Sequence, residues 1–186
     1  MANAKLNDAE LADKAIETFR AYGYEGTSLN RLAEATGLEK ASLYYRYPGG
    51  KDEIVLAAVK RVGQWFGENV LQPLAVTGSP EQRVRIVAKR LREFYGDGSK
   101  PCVLDTLSLR GGAPELQAAL RVALKDWLSA FAAIAEKSGF AHDQAALRAE
   151  KAVIDIEGAL VLSRVLEDNK VFLRALARLR KLLTEA

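Results

Sequence analysis

Residues 27–51 have the sequence Thr-Ser-Leu-Asn-Arg-Leu-Ala-Glu-Ala-Thr-Gly-Leu-Glu-Lys-Ala-Ser-Leu-Tyr-Tyr-Arg-Tyr-Pro-Gly-Gly-Lys. The pattern predicts two short helices joined by a tight turn. Thr27 or Ser28 caps the first helix. Gly37 ends it, because glycine readily takes the left-handed conformation that follows a helix C-terminus. The second helix spans about residues 40–46. The stretch therefore predicts a helix-turn-helix element.

The second helix of this element has one side suited to contact with DNA. Leu43 and Tyr47 lie four residues apart and are expected to pack inward. Small residues on the opposite side allow close approach to base edges, and polar ones can donate to bases and phosphates. Tyrosines on a short helix also occur as core packing, but the complete pattern favours DNA contact. The predicted DNA-binding residues are Thr27, Ser28, Lys40, Ala41, Ser42, Tyr44, Tyr45, Arg46 and Lys51.

A helix is also predicted before this element, and its expected role is to brace it without contacting bases. Asn7 and Glu10 have the spacing of a capping box, with Leu6 and Leu11 at the hydrophobic staple positions. Gly23 is the expected end of this helix.

The net charge of +3 is weak evidence for nucleic-acid binding, because the basic excess is in the wrong place. Residues 1–60 hold 8 Lys or Arg and 9 Asp or Glu, so their net charge is −1. Within the helix-turn-helix element the charges are sorted, however. From Lys40 to Lys51 there are three cations and no acid. DNA recognition is therefore expected to depend on local arrangement.

The order and spacing of these residues resemble the DNA-binding domain of TetR-family transcriptional regulators. The matching positions are Thr27-Ser28, Leu32-Ala33, Gly37-Leu38, Ser42 to Tyr47 and Lys51 to Ile54. Arg46 stands where the family commonly has histidine, and Tyr47 where it commonly has phenylalanine. The turn Pro48-Gly49-Gly50 resembles one branch of the family.

The rest of the chain predicts further helices and no strands, so the expected fold is all-α with about nine helices. A connecting helix of about residues 51–71 is expected to end before Pro73. We expect a DNA-binding domain over residues 1–50 and a larger ligand-binding and dimerisation domain over 51–186.

The resemblance implies an effector pocket enclosed by the helices of the larger domain, and an apolar or aromatic small molecule is the expected ligand. Sequence alone does not separate pocket wall from core filler. Cys102 could sense oxidants or electrophiles, although a small buried core residue is the favoured interpretation. The candidate pocket residues are Trp65, Phe66, Phe94, Tyr95, Cys102, Trp127 and Phe131.

The resemblance also implies a homodimer that pairs through the last two helices. Both helices carry apolar residues at helical spacing, and Gly158 would permit close approach. Packing within one chain is the alternative. The candidate interface residues are Ile154, Gly158, Val161, Val165, Phe172, Leu176, Leu179 and Leu183.

The residue inventory argues against an enzyme, and we expect no metal site and no cofactor. One histidine and one cysteine exclude most nucleophilic constellations, and no Cys/His cluster has metal-ligand spacing. No apolar run approaches a membrane span, and no secretory signal is visible, so the expected location is the cytoplasm.

The sequence thus predicts a homodimeric transcriptional regulator that binds a palindromic operator in double-stranded DNA. A repressor released by a small-molecule effector is the favoured form. The alternative is a helical ligand- or protein-binding module whose DNA-binding head is vestigial.

Overall fold

The computed structural model of the chain describes residues 6–109 and 111–185, and in these ranges its regular secondary structure is entirely helical. The expected all-α fold is therefore confirmed. Nine helices occur in the described residues: α1 (Asp8–Gly26), α2 (Leu29–Thr36), α3 (Lys40–Arg46), α4 (Lys51–Phe66), α5 (Pro80–Phe94), α6 (Val103–Ser108), α7 (Pro114–Lys137), α8 (His142–Leu166) and α9 (Lys170–Thr184). A π turn at Gly67–Leu71 and a short helical segment at Gln72–Ala75 continue α4.

Both ends of α1 follow from local signals. The Asn7 side chain accepts a hydrogen bond from the Glu10 N–H at 2.9 Å, and the Glu10 carboxylate accepts one from the Asn7 N–H at 2.9 Å. This is the predicted capping box. At Gly23 the backbone leaves the helical region, with φ 64° and ψ −175°. The regular helix therefore breaks at Gly23, as predicted, and one further turn follows to Gly26.

The helical segment after α4 extends past its predicted end. We expected Pro73 to break the helix, yet Gln72–Ala75 is helical. The reason is the π turn before the proline, where the Gln72 N–H donates to the Gly67 carbonyl five residues earlier. A π turn shifts the register of the backbone bonds, so the chain accommodates a proline that a regular α-helix would exclude.

The helices form two compact units. The first contains the described residues up to Gln64 together with Val103–Arg121, and the second contains Trp65–Cys102 together with the residues from Val122 onward. Helices α4 and α7 each supply residues to both units. The predicted boundary after residue 50, between a DNA-binding domain and a ligand-binding and dimerisation domain, stays a prediction.

The first unit has a continuous aliphatic core. Phe19 of α1, Leu32 of α2 and Leu43 of α3 are fully buried in it, beside Ile54 and Leu107. Because all three N-terminal helices share one core with α4 and α6, the position of α3 is fixed by packing from several sides.

The second unit is built around α5, α8 and α9, with α9 packed against the other two. Phe172 of α9 is fully buried and contacts the Tyr95 ring at 5.7 Å between centroids. The buried Arg83 donates to the carbonyls of Leu74 at 2.9 Å and Val76 at 2.6 Å. These bonds tie the end of the α4 extension to α5.

No helix among the described residues is long and apolar enough to cross a membrane.

Gly98 and Gly63 provide a stability test with opposite expected signs. Gly98 has φ +100°, and a Cβ there would come within 2.7 Å of the Phe172 Cβ. Gly63 lies inside α4 with no atom within 4 Å of such a Cβ. We expect Gly98→Ala to lower the free energy of unfolding by more than about 1 kcal/mol. Gly63→Ala should raise it by about 0.5–1 kcal/mol. Chemical denaturation of both variants measures this, and equal effects would contradict the packing described.

Candidate DNA-binding surface and effector core

The turn between α2 and α3 sets the orientation of α3. Gly37 has φ 72°, in the left-handed region, and its N–H bonds back to carbonyls of α2. The Leu38 N–H donates to the Ala33 carbonyl at 3.1 Å. At the other end of α2, the Ser28 hydroxyl accepts from the Arg31 N–H at 3.3 Å. This short, closed connection holds α3 at a fixed angle to α2.

Helix α3 has one buried side and one open side. Leu43 is fully buried, whereas Tyr45 is 89% exposed and Tyr44 is 50% exposed. The other members of the open side share this exposure: Lys40, Ala41 and Ser42. The structure therefore brings five of the predicted DNA-binding residues onto one accessible surface, which we call the recognition surface.

Thr27 does not lie on the recognition surface, contrary to the prediction. It is 1% exposed, and its hydroxyl donates to the Gly23 carbonyl at 2.7 Å. Thr27 follows α1 as its C-terminal cap, and Ser28 alone caps α2. The sequence left both residues available as caps, and the local contact with Gly23 decides between them.

Arg46 is engaged inside the chain instead of being free for phosphate. Its guanidinium donates to the Leu6 carbonyl at 2.6 Å and to the Asp8 carboxylate at 3.4 Å. Its side chain is only 20% exposed. Arg46 thus ties the end of α3 to the start of α1, a contact between residues 40 positions apart that periodicity does not reveal.

Lys51 is the first residue of α4, and its ammonium is also held. The Nζ atom donates to the Tyr24 carbonyl at 3.1 Å and lies 3.9 Å from the centroid of the Tyr24 ring. The Tyr24 hydroxyl donates to the Asp52 carboxylate. Burial and this bond raise the pKa of Tyr24 to about 12, so the hydroxyl stays protonated at neutral pH. The sequence reasoning missed Tyr24, since nothing local marks it as a partner of Lys51.

Arg31 is a further exposed cation that the sequence reasoning missed. Its guanidinium donates to the Gly26 carbonyl and lies 4.2 Å from the centroid of the Tyr22 ring. Arg31 lies in the first turn of α2, after its cap Ser28. This position next to a helix N-terminus is the sequence feature that could have identified Arg31.

The aromatic residues predicted to line an effector pocket form one connected cluster in the second unit. Trp65 stacks on Phe94 at 4.3 Å between ring centroids, and Phe66 contacts Trp127 at 5.3 Å. The remaining contacts link Phe94 to Tyr95 and Trp127 to Phe131. We call these residues, with Cys102, the aromatic core.

Two polar groups lie inside the aromatic core. The Tyr95 hydroxyl donates to the buried Cys102 Sγ at 3.4 Å. The indole N–H of Trp127 is buried and has no hydrogen-bond partner among the residues that the structure describes. A buried N–H without a partner is costly, and a ligand that carries an acceptor would satisfy it.

The predicted dimer interface divides between two environments. The four residues on α9 are buried inside the protomer, so this part of the prediction is wrong: Phe172, Leu176, Leu179 and Leu183. Their stripe packs against α5 and α8 of the same chain. The residues on α8 are exposed instead, with Ile154 at 60% and Val165 at 74%.

The exposed side of α8 carries more apolar residues than the sequence reasoning identified. Leu147, Leu162 and Leu166 are each more than half exposed, in addition to the predicted residues. Leu147, Ile154 and Val161 recur every seven residues, the spacing of a helix-pairing seam. We call this surface the α8 stripe: Leu147, Ile154, Gly158, Val161, Leu162, Val165 and Leu166.

Comparison with known proteins gives two family matches. Residues 11–58 match "Bacterial regulatory proteins, tetR family", and residues 81–178 match "Transcriptional regulator LmrA/YxaF-like, C-terminal domain". The HTH-type transcriptional regulator LmrA of Bacillus subtilis (strain 168) is 24% identical over 163 residues, covering 83% of this chain and 84% of LmrA. The negative transcriptional regulator IcaR of Staphylococcus epidermidis is 35% identical over 63 residues, 34% of each chain.

Solved structures share the fold over nearly the whole chain. A TetR transcriptional regulator from Legionella pneumophila matches with a TM-score of 0.85 at 15% identity, covering 98% of this chain and all of that one. A cysteine mutant of the regulator CifR, solved with 26-base-pair double-strand operator DNA, matches with a TM-score of 0.74 at 22% identity. That match covers 97% of this chain and 98% of CifR.

The α8 stripe predicts self-association that one charge can disrupt. Val161→Arg should shift the protein from dimer toward monomer, because it buries an unpaired charge in an apolar contact. Val122→Arg is the matched control, since Val122 is also an exposed valine, on α7, but lies outside the stripe. Sedimentation velocity of the two variants at equal concentration measures the effect. A Val161→Arg dimer as stable as the parent would exclude the stripe as the interface.

Proposed function

The chain belongs to the TetR family of bacterial transcriptional regulators, and from this premise we propose that it is a repressor. In this proposal a homodimer binds a palindromic operator through the recognition surface, and a small-molecule effector in the second unit releases it. The observation that carries the proposal is the open side of α3, where Tyr45 is 89% exposed although Leu43, two residues earlier, is fully buried. Repression is favoured because the relative IcaR is named as a negative regulator.

The residue types on the recognition surface divide the work of DNA recognition. Lys40 can donate to the acceptors of guanine, and Ser42 can bond to a base edge. Ala41 leaves room for the helix to approach the major groove. Tyr45 can place its ring against a thymine methyl or its hydroxyl on a phosphate. Outside α3, Ser28 and Lys51 can hold phosphates and fix the register.

Dimerisation would make this recognition specific for a palindrome. A twofold axis through the α8 stripe relates two identical recognition surfaces, so the operator half-sites carry the same symmetry. Helix-turn-helix dimers contact half-sites about one DNA turn apart, roughly 34–36 Å. Any change in that separation alters the fit to both half-sites at once.

The aromatic core is our candidate effector site. Its residues are mostly apolar and aromatic, and the Trp127 N–H, which has no partner among the described residues, could orient a bound molecule. The expected effector is therefore an apolar or aromatic molecule with a hydrogen-bond acceptor. Such a molecule regulates DNA binding only if it binds the DNA-competent and released states with different free energies, typically by about 1–3 kcal/mol.

The rival proposal is a helical binding module that no longer binds DNA. The exposure of Lys40, Ser42 and Tyr45 favours the repressor over this rival, because these side chains contribute nothing to the core. Duplex binding separates the two. A search with the DNA upstream of the protein's own gene should yield a protected palindrome, whereas the rival predicts no protection.

The recognition surface predicts two kinds of mutational effect on that duplex. Tyr45→Ala and Lys40→Ala should weaken binding by about 5- to 100-fold, and Lys40→Ala should also change the preferred bases. Lys51→Ala should weaken binding evenly across base variants and lower the salt dependence. Lys60→Ala, an exposed lysine on the same α4 helix, is the control and should bind as the parent does. Normal binding by both Tyr45→Ala and Lys51→Ala would show that α3 and the start of α4 do not contact DNA as proposed.

The effector proposal predicts a specific role for the Trp127 N–H. Mass spectrometry of the purified protein under native conditions should identify a co-purified ligand or supply candidates for titration. Trp127→Phe keeps an aromatic ring but removes the N–H, so affinity for the identified ligand should fall by about 2- to 12-fold. Ile86→Ala, an exposed residue on α5, is the control. Unchanged affinity in Trp127→Phe would place the ligand elsewhere.

A further inference from the structure

Tyr24 contacts the one predicted phosphate-binding lysine at the start of α4. The Lys51 ammonium lies 3.9 Å from the centroid of the Tyr24 ring and donates to the Tyr24 carbonyl at 3.1 Å. A cation at this distance from an aromatic ring is attracted by the ring's electron density. One residue therefore holds the lysine head group by two separate interactions.

We propose that Tyr24 is a positioning residue for DNA binding: its ring and carbonyl hold the Lys51 ammonium in place for a DNA phosphate. This inference rests on the proposed DNA-binding function and adds a residue that does not itself contact DNA. It assigns a role to the end of α1, which the sequence had marked only as a structural brace.

The contacts leave Lys51 able to bind an anion. An ammonium group has three N–H donors, and the carbonyl of Tyr24 takes one of them. The ring contact is not a hydrogen bond to an acceptor, and Lys51 is partly exposed. Two donors can therefore reach a phosphate without breaking the bond to Tyr24.

Holding the lysine reduces the entropy lost on binding. A free lysine has a flexible four-carbon stem and must be ordered when it meets a phosphate. Here the ordering has already occurred in the folded protein, so less freedom is lost when DNA binds.

The Tyr24 ring is itself fixed from more than one side. Its hydroxyl donates to Asp52, the residue after Lys51. Gly111, in the connection between α6 and α7, also lies close to the ring, because a Cβ on it would come within 2.6 Å of the Tyr24 Cδ1. Gly111 has φ +115°, a conformation that glycine alone adopts readily. The ring consequently has little room to leave its place under Lys51.

A double-mutant cycle on the protected operator duplex tests this role. Tyr24→Leu should weaken binding by about 3- to 10-fold, evenly across base variants, because the ring that holds the cation is lost. In a Lys51→Ala background the same change should have no further effect. Tyr24→Phe keeps the ring and should bind nearly as the parent does. Equal losses from Tyr24→Leu with and without Lys51 would overturn the proposal, as would a Tyr24→Phe loss as large as that of Tyr24→Leu.

The control and the folding check use the same chain. Tyr22→Leu removes a neighbouring ring on α1 that lies next to Arg31, and its effect should be the same with or without Lys51. Thermal unfolding of each variant shows whether it is folded. If Tyr24→Leu does not fold, NMR of the parent decides, since the Lys51 Hε protons should be shifted upfield by the ring relative to those of Lys60. Absence of that shift overturns the proposal. Failure of the parent to bind any duplex instead overturns the proposed function.

Discussion

The left-handed backbone of Gly37 is the constraint on which the recognition surface depends. It lets α2 end and α3 begin within three residues, with the Leu38 N–H bonded back into α2. A side chain with a Cβ would make this conformation less favourable. Because the turn is short, it limits the angle between the helices, and packing in the shared core then fixes the position of α3. In this arrangement Leu43 faces the core and Tyr45 faces solvent.

Cations near the N-terminus stabilise the fold as well as being candidates for contact with DNA. Residues 1–60 carry a net charge of −1, so the net charge of this segment supplies no general attraction to DNA. Two of the predicted phosphate ligands, Arg46 and Lys51, are bonded to carbonyl oxygens of α1 and the residues before it. Holding these two cations in place favours geometric fit over long-range attraction.

Local sequence signals predicted the helices well, but they did not predict contacts between residues far apart in the chain. The capping box at Asn7 and the turn at Gly37 are properties of a few neighbouring residues, so the chain near them determines the outcome. The bond from Arg46 to Leu6 spans 40 residues, and its existence depends on the assembled core. Periodicity has the same limit on α9. It shows that Phe172 and Leu179 share a face but not whether that face meets the same chain or another copy.

Helix α8 has apolar residues on two sides, and only one of these sides is covered within the protomer. Ala152, Ile156 and Leu160 are buried on one side within the protomer, while the α8 stripe lies exposed on the other. A contiguous apolar surface exposed to water costs free energy unless a partner covers it. A second copy presents the same stripe, and Gly158 adds no side chain to keep the two helices apart. The helix that completes the second unit's core is therefore also the one that offers an uncovered apolar surface to a second copy.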